Sequence, residues 1–234
     1  MRWPGLLGTF FLLYLLLLLP LAAWRTAQRL RGSVPGRPVT RIHYWRSAVV
    51  SQVFLFVFAY LTGSSFEFPF FRPPDQMASA IGLGAGALAV CLLLREVARR
   101  LRSEEERRRL SVFQRSPRTA GEAAWFVAAV ICASVAEEAA YRGVGWQLLN
   151  HTTGSPWGSA AILCVAFALA HWNQGWKSGI VIAAFAAVFH IVVGISDTLV
   201  IAMIVHAVYD LTAGYLIHRQ ARVYDREEAL ISDS

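Results

Sequence analysis

The chain has 234 residues, 56% of them hydrophobic, and a mean hydropathy of +0.46. These values exclude an ordinary soluble domain, and the apolar residues fall in runs long enough to span a bilayer. The net charge of +7 does not point to nucleic acid: 21 of the 22 basic residues are Arg, only Lys177 is Lys, and nearly all lie between the apolar runs.

In chain order the runs predict an all-α, polytopic bundle of seven spans. They are Trp3–Trp24, Ser47–Gly63, Met77–Leu94, Gly121–Gln147, Pro156–Trp172, Gly179–Ile195 and Thr198–Ile217. Leu6 to Leu19 is similar to a signal-peptide core. However, only Arg2 precedes it while Arg25, Arg29, Arg31, Arg37, Arg41 and Arg46 follow, so a retained first span with its N-terminus outside is expected. The segments 25–46, 95–118, 173–178 and 218–234 carry nearly all of the Arg and Lys; 64–76, 148–155 and Ser196-Asp197 together carry only Arg72 among such residues. Seven spans with the N-terminus outside and the C-terminus cytoplasmic satisfy every loop.

Gly63 to Asp75, rich in Phe and broken by Pro69, Pro73 and Pro74, is expected to lie at the outer interface. Arg95–Pro117 reads as a cytoplasmic extension of the third helix, with Glu104–Arg108 and Glu105–Arg109 pairs at i,i+4. Gly82, Gly84 and Gly86 offer a close-approach face, and Cys91, Cys132 and Cys164 read as small core residues. Three regions are expected: 1–118 with three spans and basic linkers, 119–218 as a four-span core, and 219–234 as a polar tail.

The fourth span carries Glu137, Glu138 and Arg142; His171 follows on the fifth, His190 on the sixth, and His206 and Asp210 on the seventh. A carboxylate at the bilayer centre costs roughly 2.5–3.5 kcal/mol on insertion scales, whereas interhelical polar contacts return about 0.6 kcal/mol on average. Structural glue is therefore a weak reason for the set, although His190 alone reads as a hydrogen-bonded core histidine. Glu138 and Arg142 are four apart and can pair, while Glu137 points about 100° away on the face of Tyr141. His206 and Asp210 are also four apart.

Glu137-Glu138-Ala139-Ala140-Tyr141-Arg142 matches EExxxR, Phe167–His171 matches FxxxH, and His206–Asp210 matches HxxxD/N. In this order on successive spans they resemble the CPBP family of CAAX proteases and bacteriocin-processing enzymes, over roughly residues 120–215. The resemblance implies a glutamic-type intramembrane endopeptidase without a cofactor. Glu137, helped by His171, would activate water; His206 and residue 210 would stabilise the oxyanion; Glu138, Arg142 and Phe167 would support them. Ionised Asp210 cannot donate a hydrogen bond, so orienting His206 is its expected role. Depth leaves a difficulty, because Glu137 falls in the outer half of its span and His171 near the inner face.

The implied partners are the lipid bilayer and a membrane-anchored peptide or protein. Substrates with a prenylated C-terminus, a bacteriocin-like sequence or a C-terminal sorting signal all fit. The Arg-rich, Lys-poor composition points to a bacterial inner membrane and away from the prenyl class. Two other readings stay open: a zinc protease with Glu137, His171, His206 and Asp210 as ligands, and a non-enzymatic scaffold or proton-coupled transporter. The absence of paired inverted repeats counts against transport.

Overall fold

A computed structural model of the chain describes residues 5–32, 40–108, 110, 113 and 115–232. Among them there are helices and no strands. Helix α1 runs Gly5–Leu13, through a π turn Tyr14–Leu18, into Leu19–Gly32. It is followed by α2 (Arg41–Ser64), α3 (Met77–Arg100) and the short α4 (Glu104–Arg108). The continuous 34-residue helix Ala120–Thr153 is α5. After it come α6 (Pro156–Ala170), α7 (Trp176–Ser196) and α8 (Leu199–Ser232).

Six of these helices are long and apolar enough to cross a membrane. The seventh expected span is α6, whose 15 residues cover only about 22 Å. Ser155 caps its N-terminus by accepting from the Gly158 N–H, with Pro156 in the first turn, where a missing N–H costs nothing. Trp3, Arg37 and Arg109 fall outside the described residues.

Three segments differ from expectation. Instead of continuing, α3 stops at Arg100, and Ser103 opens α4 through a reciprocal capping box. The Glu106 N–H donates to Ser103 Oγ at 3.2 Å, and the Ser103 N–H to Glu106 Oε2 at 3.1 Å. Glu104 and Arg108 do pair, at 2.8 Å. The Phe-rich connector dips inward rather than lying flat: Phe70 is buried in the core, and Phe68 meets it edge-on at 4.9 Å. The last helix, α8, runs past the expected span end at Ile217 through Ser232 and carries Asp225 to a 2.7 Å ion pair with Arg118.

Side-chain pairings fix the directions. α2 and α5 run parallel, with Trp45 on Phe126 (5.0 Å) and Gln52 on Glu137. α8 runs antiparallel to α5, joining His206 to Glu138 and Gly214 to Phe126. α3 and α8 approach closely at Gly84, where a β-carbon would stand 3.1 Å from Ile201 and 3.2 Å from Val205; Gly82 and Gly86 face open space. Exposed Phe54, Leu93, Ile131, Val165 and Ile204 form an apolar outside suited to lipid. Inside, one core surrounds the middle of α5 and a second joins α3, α7 and α8. The polar residues lie between the two.

Candidate active site

Within α5 the α-helical ladder gives way to a π turn over Glu138–Gly145. A π turn widens the helix locally and recurs at functional sites. Here it displaces Gly145 so that a β-carbon there would stand 2.6 Å from the Ala140 carbonyl oxygen; only glycine fits. The 34-residue length, greater than the expected Gly121–Gln147, also moves Glu137. α5 continues to Thr153, beyond the expected Gln147, so Glu137 lies near the midpoint of the helix rather than in its outer half.

The adjacent glutamates hold two edges of one imidazole. Glu138 Oε1 accepts from His206 Nδ1 at 2.8 Å and from Arg142 Nη1 at 3.2 Å. The Glu138 and Arg142 side chains have no solvent exposure. Glu137 Oε2 lies 4.0 Å from His206 Nε2, and Asp210 Oδ2 lies 3.5 Å from the same nitrogen. Phe189 stacks on the His206 ring at 5.3 Å. Arg142 lies over the rings of Phe167 (4.6 Å) and Phe189 (5.5 Å), which gives its buried cation two aromatic faces.

His171 belongs to the same layer without touching it. Along antiparallel α5 and α6, Gly145 faces Leu163 and Tyr141 meets Phe167 edge-on at 4.9 Å. One further turn along each helix brings Glu137 and His171 to one level, and this resolves the depth difficulty. His171 ends α6 with its own backbone out of the helix, at φ −104°. Its Nδ1 is 2.8 Å from the Phe167 carbonyl, which can only accept. Nδ1 therefore carries a hydrogen, and Nε2 is the ring nitrogen not engaged by the backbone. No hydrogen bond or ion pair joins His171 to Glu137.

Gln52 was not among the residues singled out from the sequence, yet its Nε2 donates to Glu137 Oε1 at 2.7 Å. A lone glutamine within an apolar span was the available signal. The free oxygen of Gln52, Glu138 Oε2, Tyr141 Oη, and Nε and Nη2 of Arg142 are buried polar atoms without a protein partner. The same holds for His190 Nε2, contrary to the hydrogen-bonded role expected for it. Among the described residues, no group of three His, Cys, Asp or Glu side chains is arranged to hold a metal ion. The zinc set Glu137, His171, His206 and Asp210 is not brought together, because His171 makes no contact with the other three and its Nδ1 is turned to the Phe167 carbonyl.

A membrane-embedded helical bundle with a carboxylate–imidazole centre fits the class of multi-pass membrane proteases. Residues 119–212 match the family model for Rce1-like type II CAAX prenyl endopeptidases. The match runs from the start of α5 into α8, takes in all three motifs, and agrees with the CPBP resemblance. No curated protein and no solved structure matches the chain.

Proposed function

We propose that the chain is a glutamic-type intramembrane endopeptidase that cleaves a membrane-anchored peptide or protein. The observation that carries this reading is the placement of Glu137 and Glu138 against opposite nitrogens of one buried imidazole. The pairs give the two glutamates different work. Glu138 is committed to Arg142 and His206, whereas Glu137 keeps Oε2 for a water and is steadied at Oε1 by Gln52.

In the proposed reaction Glu137 takes a proton from water as the oxygen attacks the peptide carbonyl, and His171 Nε2 assists from the same layer. His206 donates from Nε2 to the developing oxyanion. Because Nδ1–H is given to Glu138, only the imidazolium has a second hydrogen to offer at Nε2. Asp210 and Glu137 flank that nitrogen at 3.5 and 4.0 Å. Asp210 thus orients His206 rather than donating itself. Donors aimed at an oxyanion in a water-poor site contribute about 3–4 kcal/mol each.

We also propose that the Arg-rich end of the bundle faces the cytoplasm of a bacterial cell, with residues 119–218 as the catalytic core. The inward-folded Phe68 and Phe70 fill the opposite end, which favours substrate access laterally or from the cytoplasmic half. Purified protein reconstituted with candidate membrane-anchored peptides tests the activity. Cleavage that survives in both Glu137→Gln and His171→Ala removes the glutamic mechanism. Assembly with a partner but no cleavage by the wild type favours the scaffold reading.

A further inference from the structure

A cavity of about 150 Å³ opens beside α3, α7 and α8 at the Arg-rich end of the bundle, roofed by α4. Arg95, Arg99, Arg102 and Arg107 all line it, and among the described residues no acidic side chain does. Arg99 is neutralised by Glu96 at 2.6 Å. Among the described residues the other three make no ion-pair contact, although Arg102 lies within reach of the Glu106 charge. Arg95 makes no ion pair or side-chain hydrogen bond among the described residues. Arg102 Nη2 donates only to the Ser178 hydroxyl, at 3.1 Å. Arg107 Nε is buried without a partner. Glu106, on α4 beside Arg107, is held by Lys177 at 2.6 Å.

Converging guanidinium groups without anions are costly unless an anion joins them, and phosphate oxygens suit their forked donors. Deeper in, the lining turns apolar at Val181, Ile182 and Phe185, and Phe185 packs on Tyr209 at 4.8 Å. Arg95 immediately follows the apolar run of α3 that ends at Leu94, the depth at which headgroup phosphates lie. At roughly 30 Å³ per water, the space equals about five waters, enough for a phosphate and part of a glycerol.

We propose that this cavity binds the phosphate headgroup of an anionic phospholipid, with the acyl chains leaving along its apolar side. Basic pockets between transmembrane helices recognise anionic headgroups by the same chemistry. The site lies one residue from Asp210 through Tyr209, so an occupied cavity braces the α3–α8 wall of the candidate active site. The inference does not depend on the peptidase reading, and its test does not use cleavage.

The test is native mass spectrometry and thermal unfolding of the full chain in neutral detergent, with dioctanoyl phosphatidylglycerol against dioctanoyl phosphatidylcholine. Retention of one phosphatidylglycerol per chain, at least tenfold tighter than phosphatidylcholine and with a raised melting temperature, is the expected result. Arg95→Gln combined with Arg102→Gln should bring the two lipids to equal affinity, while exposed Arg222→Gln should change nothing. Equal retention of both lipids by the wild type overturns the proposal without any variant. It is overturned equally if inorganic phosphate, or a short apolar peptide with a free carboxylate, binds more tightly than phosphatidylglycerol.

Discussion

Gln52 on α2 donates its side-chain amide to Glu137 on α5 at 2.7 Å, across an interface between regions far apart in the sequence. The contact fixes which oxygen of Glu137 remains available. A hydrogen bond to a charged group is worth about 1.5–3 kcal/mol, so Gln52→Leu should lower turnover roughly 10- to 100-fold. The fold should survive, as judged by circular dichroism and melting. Unchanged turnover of a cleaved peptide in that variant would show that Glu137 needs no such orientation.

Glu138 and Arg142 behave as a unit. Removing one member of a buried pair leaves an uncompensated charge at a cost of about 3–5 kcal/mol. Arg142→Met alone should therefore lose most folded protein in detergent. Adding Glu138→Gln should restore much of the stability, although His206 then faces a neutral amide. Thermal unfolding of the single and double variants reads the coupling, and additive losses would contradict it.

Glycine replacements should have opposite signs along the bundle. In a helix interior Gly→Ala ordinarily stabilises by about 1 kcal/mol. At lipid-facing Gly82 and Gly86, where a β-carbon meets nothing within 4 Å, that gain is expected. At Gly145 the π turn aims the β-carbon at the Ala140 carbonyl, so Gly145→Ala should lower the melting temperature. A Gly145→Ala protein as stable as the wild type would mean that the π turn relaxes without cost.

Lys177 beside Glu106, with help from the Ser103 N–H, holds the Glu106 carboxyl below the usual carboxylate range. A group depressed in the folded state contributes stability that is fully present above its unfolded pKa of about 4.3. That contribution is lost as pH falls through the lower folded value. Hydrogen exchange over α4, corrected for intrinsic rate, should therefore rise on acidification below about pH 4. In Lys177→Ala exchange should already be faster near neutral pH and the acid-dependent rise smaller, and an unchanged profile would separate Glu106 from the anchoring of α4.

Hydropathy placed the long helices because lipid demands continuous apolar runs, and the i,i+4 spacing of Glu138 and Arg142 anticipated their contact. Helix ends were less legible. The stop of α3 depends on a capping box at Ser103 and Glu106, whose signature was visible but read as a continuing charged face. Nothing in the motif residues encodes the π turn, which emerges from packing around Gly143 and Gly145. Gln52 is uncharged and belongs to none of the motifs, so its contact with Glu137 is not legible before the helices are packed. The common level of Glu137 and His171 could not be counted from sequence, since it depends on α6 being short.

That shortness also acts on the lipid. Trp157, Ile162, Val165 and Leu169 leave one side of α6 exposed, yet about 22 Å of helix faces a hydrocarbon layer about 30 Å thick. Hydrophobic mismatch of this kind is accommodated by local thinning of the bilayer, at fractions of a kcal/mol per ångström. Spin-labelled lipids should report that thinning beside α6, and a depth profile identical to that at α3 would rule it out. Any spanning segment that reaches α6 would therefore meet a thinner apolar layer there than beside α3.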